Sequence, residues 1–199
     1  MFTVIEDCSP YYIRYTHDSL DDIINISSDS ISNVEFKEPF THHVLPSDVS
    51  NELIKLNPLS QVVELKKKRV SMFVTKPGYY YRPHKDGAAT KVSINYSVKI
   101  LDDKCKTSWY SDAELSSYSL DVETLYSREL NGVDRYKHKP LKSLVVKPRE
   151  VVLFNTNIWH DFDNSKSTNE RIILTFRCVD LSLNFDHIKS FILKHNVFR

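Results

Sequence analysis

Four side chains of this 199-residue chain have types and spacings that can do chemistry together: His84, Asp86, His160 and Arg171. His84 and Asp86 are two apart in a segment that reads as a β-strand, where alternate side chains point to one face. A second strand that brings His160 opposite them puts two imidazoles and one carboxylate on one side of a metal ion. That is the facial arrangement which leaves further positions open on non-haem Fe(II). A thiolate set would have pointed to zinc or an iron–sulfur cluster instead. Arg171, eleven residues after His160, offers the planar fork that grips a carboxylate, so it can anchor the far end of a co-substrate chelating that metal. Arg177, six further on, shares its alternation face and is the alternative anchor.

Positioning these groups is the task of a β-rich frame. Strand patterns run over residues 69–75, 79–83, 91–100, 143–146, 151–155 and 171–179. Lys76-Pro77-Gly78 and Lys147-Pro148-Arg149-Glu150 give turn signals between them. Helical spacing is confined to 47–57, bounded by Pro46 and Pro58, and to 184–196, where Phe185, Ile188, Phe191 and Ile192 make an apolar stripe. Many short strands with few crossover helices predict two antiparallel sheets. The fold class expected is mainly β (α+β), a double-stranded β-helix or jelly-roll core with buttressing helices. The chain reads as a single domain over 1–199, its core at about 69–180 and the N-terminal segment and C-terminal helix packed on it. Residues 1–45 are weakly patterned. Residues 111–140 are polar and Tyr-rich, and read as an insert or long loop, a class that often supplies lids.

The surrounding residues strengthen the case. Lys76-Pro-Gly-Tyr-Tyr-Tyr-Arg-Pro-His-Lys-Asp86, then Lys147-Pro-Arg-Glu-Val-Val-Leu-Phe-Asn-Thr with Ile158-Trp-His160, then Asn169-Glu-Arg171 before Ile172 to Phe176, resemble the Fe(II)/2-oxoglutarate-dependent oxygenases, and within them the prolyl-hydroxylase-like branch. The resemblance covers about residues 69–180. One departure is the 73-residue gap between Asp86 and His160, longer than in a minimal member, which leaves the intervening strand order open. The resemblance implies His84, Asp86 and His160 as iron ligands, with the 2-oxo and adjacent carboxylate oxygens of 2-oxoglutarate and then dioxygen in the remaining positions. It also implies Arg171 as the anchor, because the family's basic residue stands at about this spacing from the distal His. The activity implied is oxidative decarboxylation of 2-oxoglutarate to succinate and CO2, coupled to hydroxylation of a primary substrate, either a peptide or protein side chain or a small molecule.

Other residues are candidates for the same pocket. On 91–100, Ser93, Asn95 and Ser97 share one face and Val92, Ile94, Tyr96 and Val98 the other. Asn95 donates to a 2-oxoglutarate carboxylate if the polar face is inside, and alternation alone does not choose the face. Tyr81 is a further candidate for the pocket wall and for co-substrate binding. Trp109 and Tyr110 read as a substrate rim or as simple packing. His42-His43 reads as a loop pair, and His17, His138, His187 and His195 lack a partner pattern.

Composition bounds the alternatives. With 27 basic and 26 acidic residues, charge gives no reason to expect nucleic acid or an anionic membrane. The basic runs 66–69 and 137–149 read as solvated ends and loops. Only Gly78, Gly87 and Gly132 occur, which disfavours a phosphate-cradling glycine loop. Cys8, Cys105 and Cys178 have neither disulfide nor metal spacing, and no membrane span or signal peptide is evident, so a cytoplasmic location is expected. The competing reading is a cupin-like jelly roll that binds a metal or small molecule without catalysis.

Overall fold

The computed structural model describes residues 1–65, 70–86, 90–124, 127–134, 137–178 and 182–196. A hairpin of β1 (Phe2–Cys8) and β2 (Tyr12–His17) leads into α1 (Leu20–Ser30), β3 (Phe40–Val44), α2 (Ser47–Leu56) and a 3-10 turn at Pro58–Gln61. Then come β4 (Ser71–Thr75), β5 (Tyr80–Asp86), β6 (Val92–Lys99) and β7 (Lys106–Trp109), followed by α3 (Asp112–Leu115), β8 (Leu120–Glu123) and β9 (Ser127–Leu130). The chain closes with β10 (Lys142–Val145), β11 (Val151–Asn155), β12 (His160–Asp163), β13 (Arg171–Arg177) and α4 (Phe185–Lys194). Arg69, Gly87 and Val179, and the basic run 66–69, lie outside the described residues.

The strands form two antiparallel sheets, one ordered β1-β2-β11-β6-β13-β4-β3 and the other β10-β7-β12-β5-β9-β8. The fold is the expected jelly roll. Alternation assigns the faces of the larger sheet. Ile94 and Tyr96 of β6, Val151 and Leu153 of β11, and Ile172, Leu174 and Phe176 of β13 meet Ile23, Leu53, Ile188 and Ile192 of the helices in one core. The opposite face carries Val152, Phe154 and Ile173, which pack with Tyr12, Trp109 and Leu144 between the sheets. Each fully buried aliphatic side chain contributes about 1.5–3 kcal/mol, so a one-residue slip of any of these strands would reverse both faces.

The helices are amphipathic for the expected reason. α1 buries Leu20, Ile23, Ile24 and Ser27 and carries Asp21 and Asp22 in its first turn, where the helix dipole favours acids. α4 begins with a reciprocal capping box between Asn184 and His187, which gives His187 a partner not evident in the sequence. The Lys76-Pro77-Gly78-Tyr79 turn closes with the Tyr79 amide donating to the Lys76 carbonyl (3.4 Å). Its third position sits at φ 80°, which glycine adopts without a Cβ penalty.

Two regions differ from the sequence expectation. Residues 1–45, expected only to pack on the core, supply β1, β2 and β3, three strands of the larger sheet. The histidine pair expected in a loop lies on β3. Residues 111–140, expected as a loop or lid, hold α3, the edge strand β8 and its neighbour β9, which pairs directly with β5. Beneath them Tyr110, Leu115, Leu130 and Trp159 form a small core of their own. All three cysteines are free thiols, and no described helix is long and apolar enough to cross a membrane.

Candidate metal centre

β5 and β12 pair antiparallel with His84 directly opposite His160, and Asp86 follows on the His84 face. A register irregularity, three residues from Tyr81 to His84 against two from His160 to Phe162, puts all four of these side chains on the cavity. One ligand atom from each of His84, Asp86 and His160 can be chosen so that all lie within 4.8 Å of one another. His84 Nε2 stands 4.0 Å from Asp86 Oδ1, and the two imidazole centroids are 4.2 Å apart.

Backbone carbonyls orient both rings. His84 Nδ1 bonds the Arg82 carbonyl (3.0 Å), and His160 Nδ1 bonds the Ile158 carbonyl (2.8 Å). Because a carbonyl only accepts, each Nδ1 carries the hydrogen and each Nε2 keeps its lone pair for a metal. Burial, reinforced by neighbouring His84, pushes the His160 pKa well down and keeps the ring neutral. Burial pushes the Asp86 carboxyl up, opposed by Arg177 and His84. Two imidazoles and a carboxylate, converging at the wall of a cavity, fit a divalent first-row ion of the Fe(II) type.

The cavity measures about 300 Å³ and lies between the sheets. Both candidate anchors line it from β13. Arg171 lies over the Phe162 ring, 5.3 Å from its centroid, and is 9% exposed. Its buried Nε lacks a hydrogen-bond partner, and among the described residues no carboxylate lies within salt-bridge range of it. Arg177 also has an unpartnered Nε, but its Nη2 lies 3.9 Å from Asp86 Oδ2. A buried guanidinium without an acceptor is costly, so the pair marks a place where an anion belongs.

The polar face of β6 turns inward at Ser93 and Asn95, which line the cavity, and Asn95 Oδ1 accepts from the Thr175 hydroxyl (2.9 Å). The Tyr81 ring lines it too, stacked on Phe162 at 5.2 Å and set edge-on to His84 at 4.6 Å. Its hydroxyl donates to Glu129 Oε1 (2.9 Å). Trp109 and Tyr110 form no rim: both are buried, and Tyr110 donates to Asp161 Oδ2 (2.6 Å). The sequence reading missed Ser127, Phe40, His42 and Phe73, which also line the cavity, and Glu129, which holds Tyr81. Phe40 and His42 come from β3 and Ser127 from β9, strands whose pairing leaves no local signal.

No family model matches this chain, and no curated protein matches it. Among solved structures it is similar to HygX from Streptomyces hygroscopicus with nickel, 2-oxoglutarate and hygromycin B bound, at TM-score 0.58 and 9% identity over 87% of this chain and 84% of that one. It is likewise similar to the epimerase SnoN in complex with Fe3+, alpha ketoglutarate and nogalamycin RO, at TM-score 0.54 and 10% identity over 91% and 84%. At these identities the likeness is one of fold, and the two facing sheets of this chain are arranged as in those proteins.

Proposed function

We propose that this chain is an Fe(II)- and 2-oxoglutarate-dependent oxygenase. The observation that carries the reading is the convergence of His84, Asp86 and His160 on a cavity whose wall holds Arg171, a guanidinium with no carboxylate in salt-bridge range among the described residues. In this reading the two Nε2 atoms and the Asp86 carboxylate hold iron. Arg171 binds the distal carboxylate of 2-oxoglutarate, with Asn95 beside it and the Tyr81 ring as wall. Bound iron would supply dioxygen activation driven by decarboxylation of 2-oxoglutarate to succinate and CO2. The fold neighbours support the cofactor assignment, since HygX was solved with 2-oxoglutarate and SnoN with iron and alpha ketoglutarate.

Hydroxylation is the finer reading and rests on the resemblance to the prolyl-hydroxylase-like branch; SnoN is described as an epimerase, so one fold serves more than one outcome. The primary substrate is a peptide or protein side chain or a small molecule, acted on in a reducing cytoplasmic setting that suits three free thiols.

The test is anaerobic titration of 2-oxoglutarate into the Fe(II)-loaded protein, following the visible metal-to-ligand charge-transfer band. A saturable band, abolished in His84→Ala, Asp86→Ala and His160→Ala, is the expected result. Iron bound normally by all three variants would remove the site. Iron without 2-oxoglutarate binding would favour a non-catalytic metal-binding jelly roll.

A further inference from the structure

Behind Phe154, which lines the cavity, lies a connected set of oxidisable rings that the proposed chemistry does not use. Trp109 is the cross-strand partner of His160, and it is fully buried. Phe154 bridges the two, 4.8 Å from the His160 ring and 4.9 Å from Trp109. On its other side Trp109 stacks on Tyr12 at 5.2 Å and 26°, and Tyr11 lies 6.0 Å from it. The Tyr12 hydroxyl donates to Glu6 Oε1 (3.0 Å), and Glu6, about one-third exposed, is also held by Arg14. A continuous aromatic path thus runs from a candidate metal ligand to the surface.

Two hydrogen-bonding details give the path a direction. The Trp109 Nε1–H is buried with no acceptor among the described residues. An indole that loses an electron there has nowhere to pass its proton, so it stays a strongly oxidising cation. The Tyr12 phenol has a carboxylate on its hydroxyl, so it can release electron and proton together. A hole on Trp109 therefore runs downhill to Tyr12, away from the metal.

We propose that Trp109 and Tyr12 form a hole-transfer path that drains the metal site when it has been oxidised with no primary substrate present. Dioxygen takes up four electrons and 2-oxoglutarate supplies two as it becomes succinate and CO2. Without primary substrate the site therefore needs two more electrons, with two protons from solvent, to release the second oxygen atom as water. Trp109 gives up these electrons one at a time. After each, the Trp109 cation takes one electron from Tyr12, whose proton passes to Glu6. A small one-electron reductant in solution, such as ascorbate, then returns an electron to the Tyr12 phenoxyl radical, and Glu6 returns the proton. The path lies toward the β1-β2 edge of the larger sheet, whereas Phe40 and His42 line the cavity from β3 at the opposite edge.

The role of the path rests on the oxygenase reading; its existence does not, and the experiment has an arm for each. In metal-free protein carrying Trp159→Phe, which leaves Trp109 as the sole indole, flash photoionisation should give a tryptophan cation that decays as a tyrosyl radical rises. In the same background Tyr12→Phe, which keeps the ring and its packing, should leave the oxidation on tryptophan. An equal tyrosyl yield with Tyr12→Phe would overturn the path. In the second arm, Fe(II)-loaded protein turns over 2-oxoglutarate with no primary substrate. Freeze-quench electron paramagnetic resonance should then show a tyrosyl radical that Tyr12→Phe removes. Mass spectrometry should show several-fold more self-oxidation of cavity residues in Tyr12→Phe and Trp109→Phe than in the parent. Equal self-oxidation in all three would overturn the draining role even if the flash transfer is seen. Failure to bind iron would defeat the oxygenase reading and that role together, leaving the flash arm to decide whether the path exists.

Discussion

Arg177 Nη2 stands 3.9 Å from Asp86 Oδ2, so of the two arginines that β13 points into the cavity, this one already faces a carboxylate. Arg171 has none within salt-bridge range among the described residues. The division predicts separable phenotypes. Arg171→Ala should keep iron and lose about 2–5 kcal/mol of 2-oxoglutarate binding, as for truncating one partner of a buried charge pair. Arg177→Ala removes a cation that counters the burial-driven rise of the Asp86 pKa. Protons should then compete better with the metal, and iron affinity should fall further below that of the parent as pH drops. Parallel anaerobic iron and 2-oxoglutarate titrations check both. A pH-dependent iron defect in Arg171→Ala, with none in Arg177→Ala, would reverse the assignment.

Glu129 ties the 111–140 segment to the metal strand, accepting from the Tyr81 hydroxyl and pairing with Arg82 (2.9 Å). Tyr81→Phe should therefore destabilise the protein by about 1–2 kcal/mol, the loss of one part-buried hydrogen bond to a charged group. Its 2-oxoglutarate affinity should stay within about threefold of the parent, a change below 1 kcal/mol, because the ring still packs on Phe162. Urea unfolding and the same titration decide it. A tenfold affinity loss would mean that the hydroxyl leaves Glu129 for the co-substrate.

What the sequence reveals follows from the range of the physics involved. His84 and Asp86 are legible because period two is a local property of a strand, and β11 is legible in full because both its faces are apolar. The inward face of β6 is not, since Ser93 and Asn95 alternate with Ile94 and Tyr96 whichever side holds the cavity. β8 escapes because an edge strand carries polar residues that keep it from pairing further, which blurs alternation, and it is largely exposed; β9, paired with β5 and β8, is four residues long with one buried, too short to show a period. Phe40 reaches the site only through the pairing of β3 with β4, a contact with no trace in local composition. The resemblance around 69–180 covers the candidate ligands and most of the cavity lining, while Phe40 and His42 come from a strand outside it and Ser127 from its unpatterned insert.

His17 bonds the Tyr96 hydroxyl through Nε2 (2.8 Å) in the core, and burial lowers its pKa to about 4. In the unfolded chain the ring protonates at about 6.5. Between those values the unfolded state binds more protons than the folded one, so stability falls as pH drops from about 6.5 to 4 and the effect is absent above that window. The full span is worth about 3 kcal/mol. His17→Gln, which preserves a polar atom near the Nε2 position and cannot titrate, should flatten this part of the curve. Denaturant unfolding of metal-free protein across the window provides the comparison, with the difference between parent and variant isolating His17 from His160. Identical slopes would show that His17 is protonated in the fold.

Asn164 predicts how Arg171 is held. Its fully buried side-chain amide donates to the carbonyls of Lys76 (2.9 Å) and Asn169 (3.0 Å). The Gly78 amide donates to its carbonyl (3.0 Å), and its own amide donates to the Tyr79 carbonyl (2.9 Å). One residue thus links the turn before β5, which carries His84 and Asp86, to the loop before β13, which begins at Arg171. Asn164→Ala removes two part-buried hydrogen bonds and should lower stability by about 1–2 kcal/mol. Because His84, Asp86 and His160 remain paired through β5 and β12, iron affinity should change little. Arg171 loses the tether of the loop leading into it, so 2-oxoglutarate affinity should fall. Measured at a temperature where parent and variant are both fully folded, weaker iron binding with intact 2-oxoglutarate affinity would show that the linkage supports the metal strand instead.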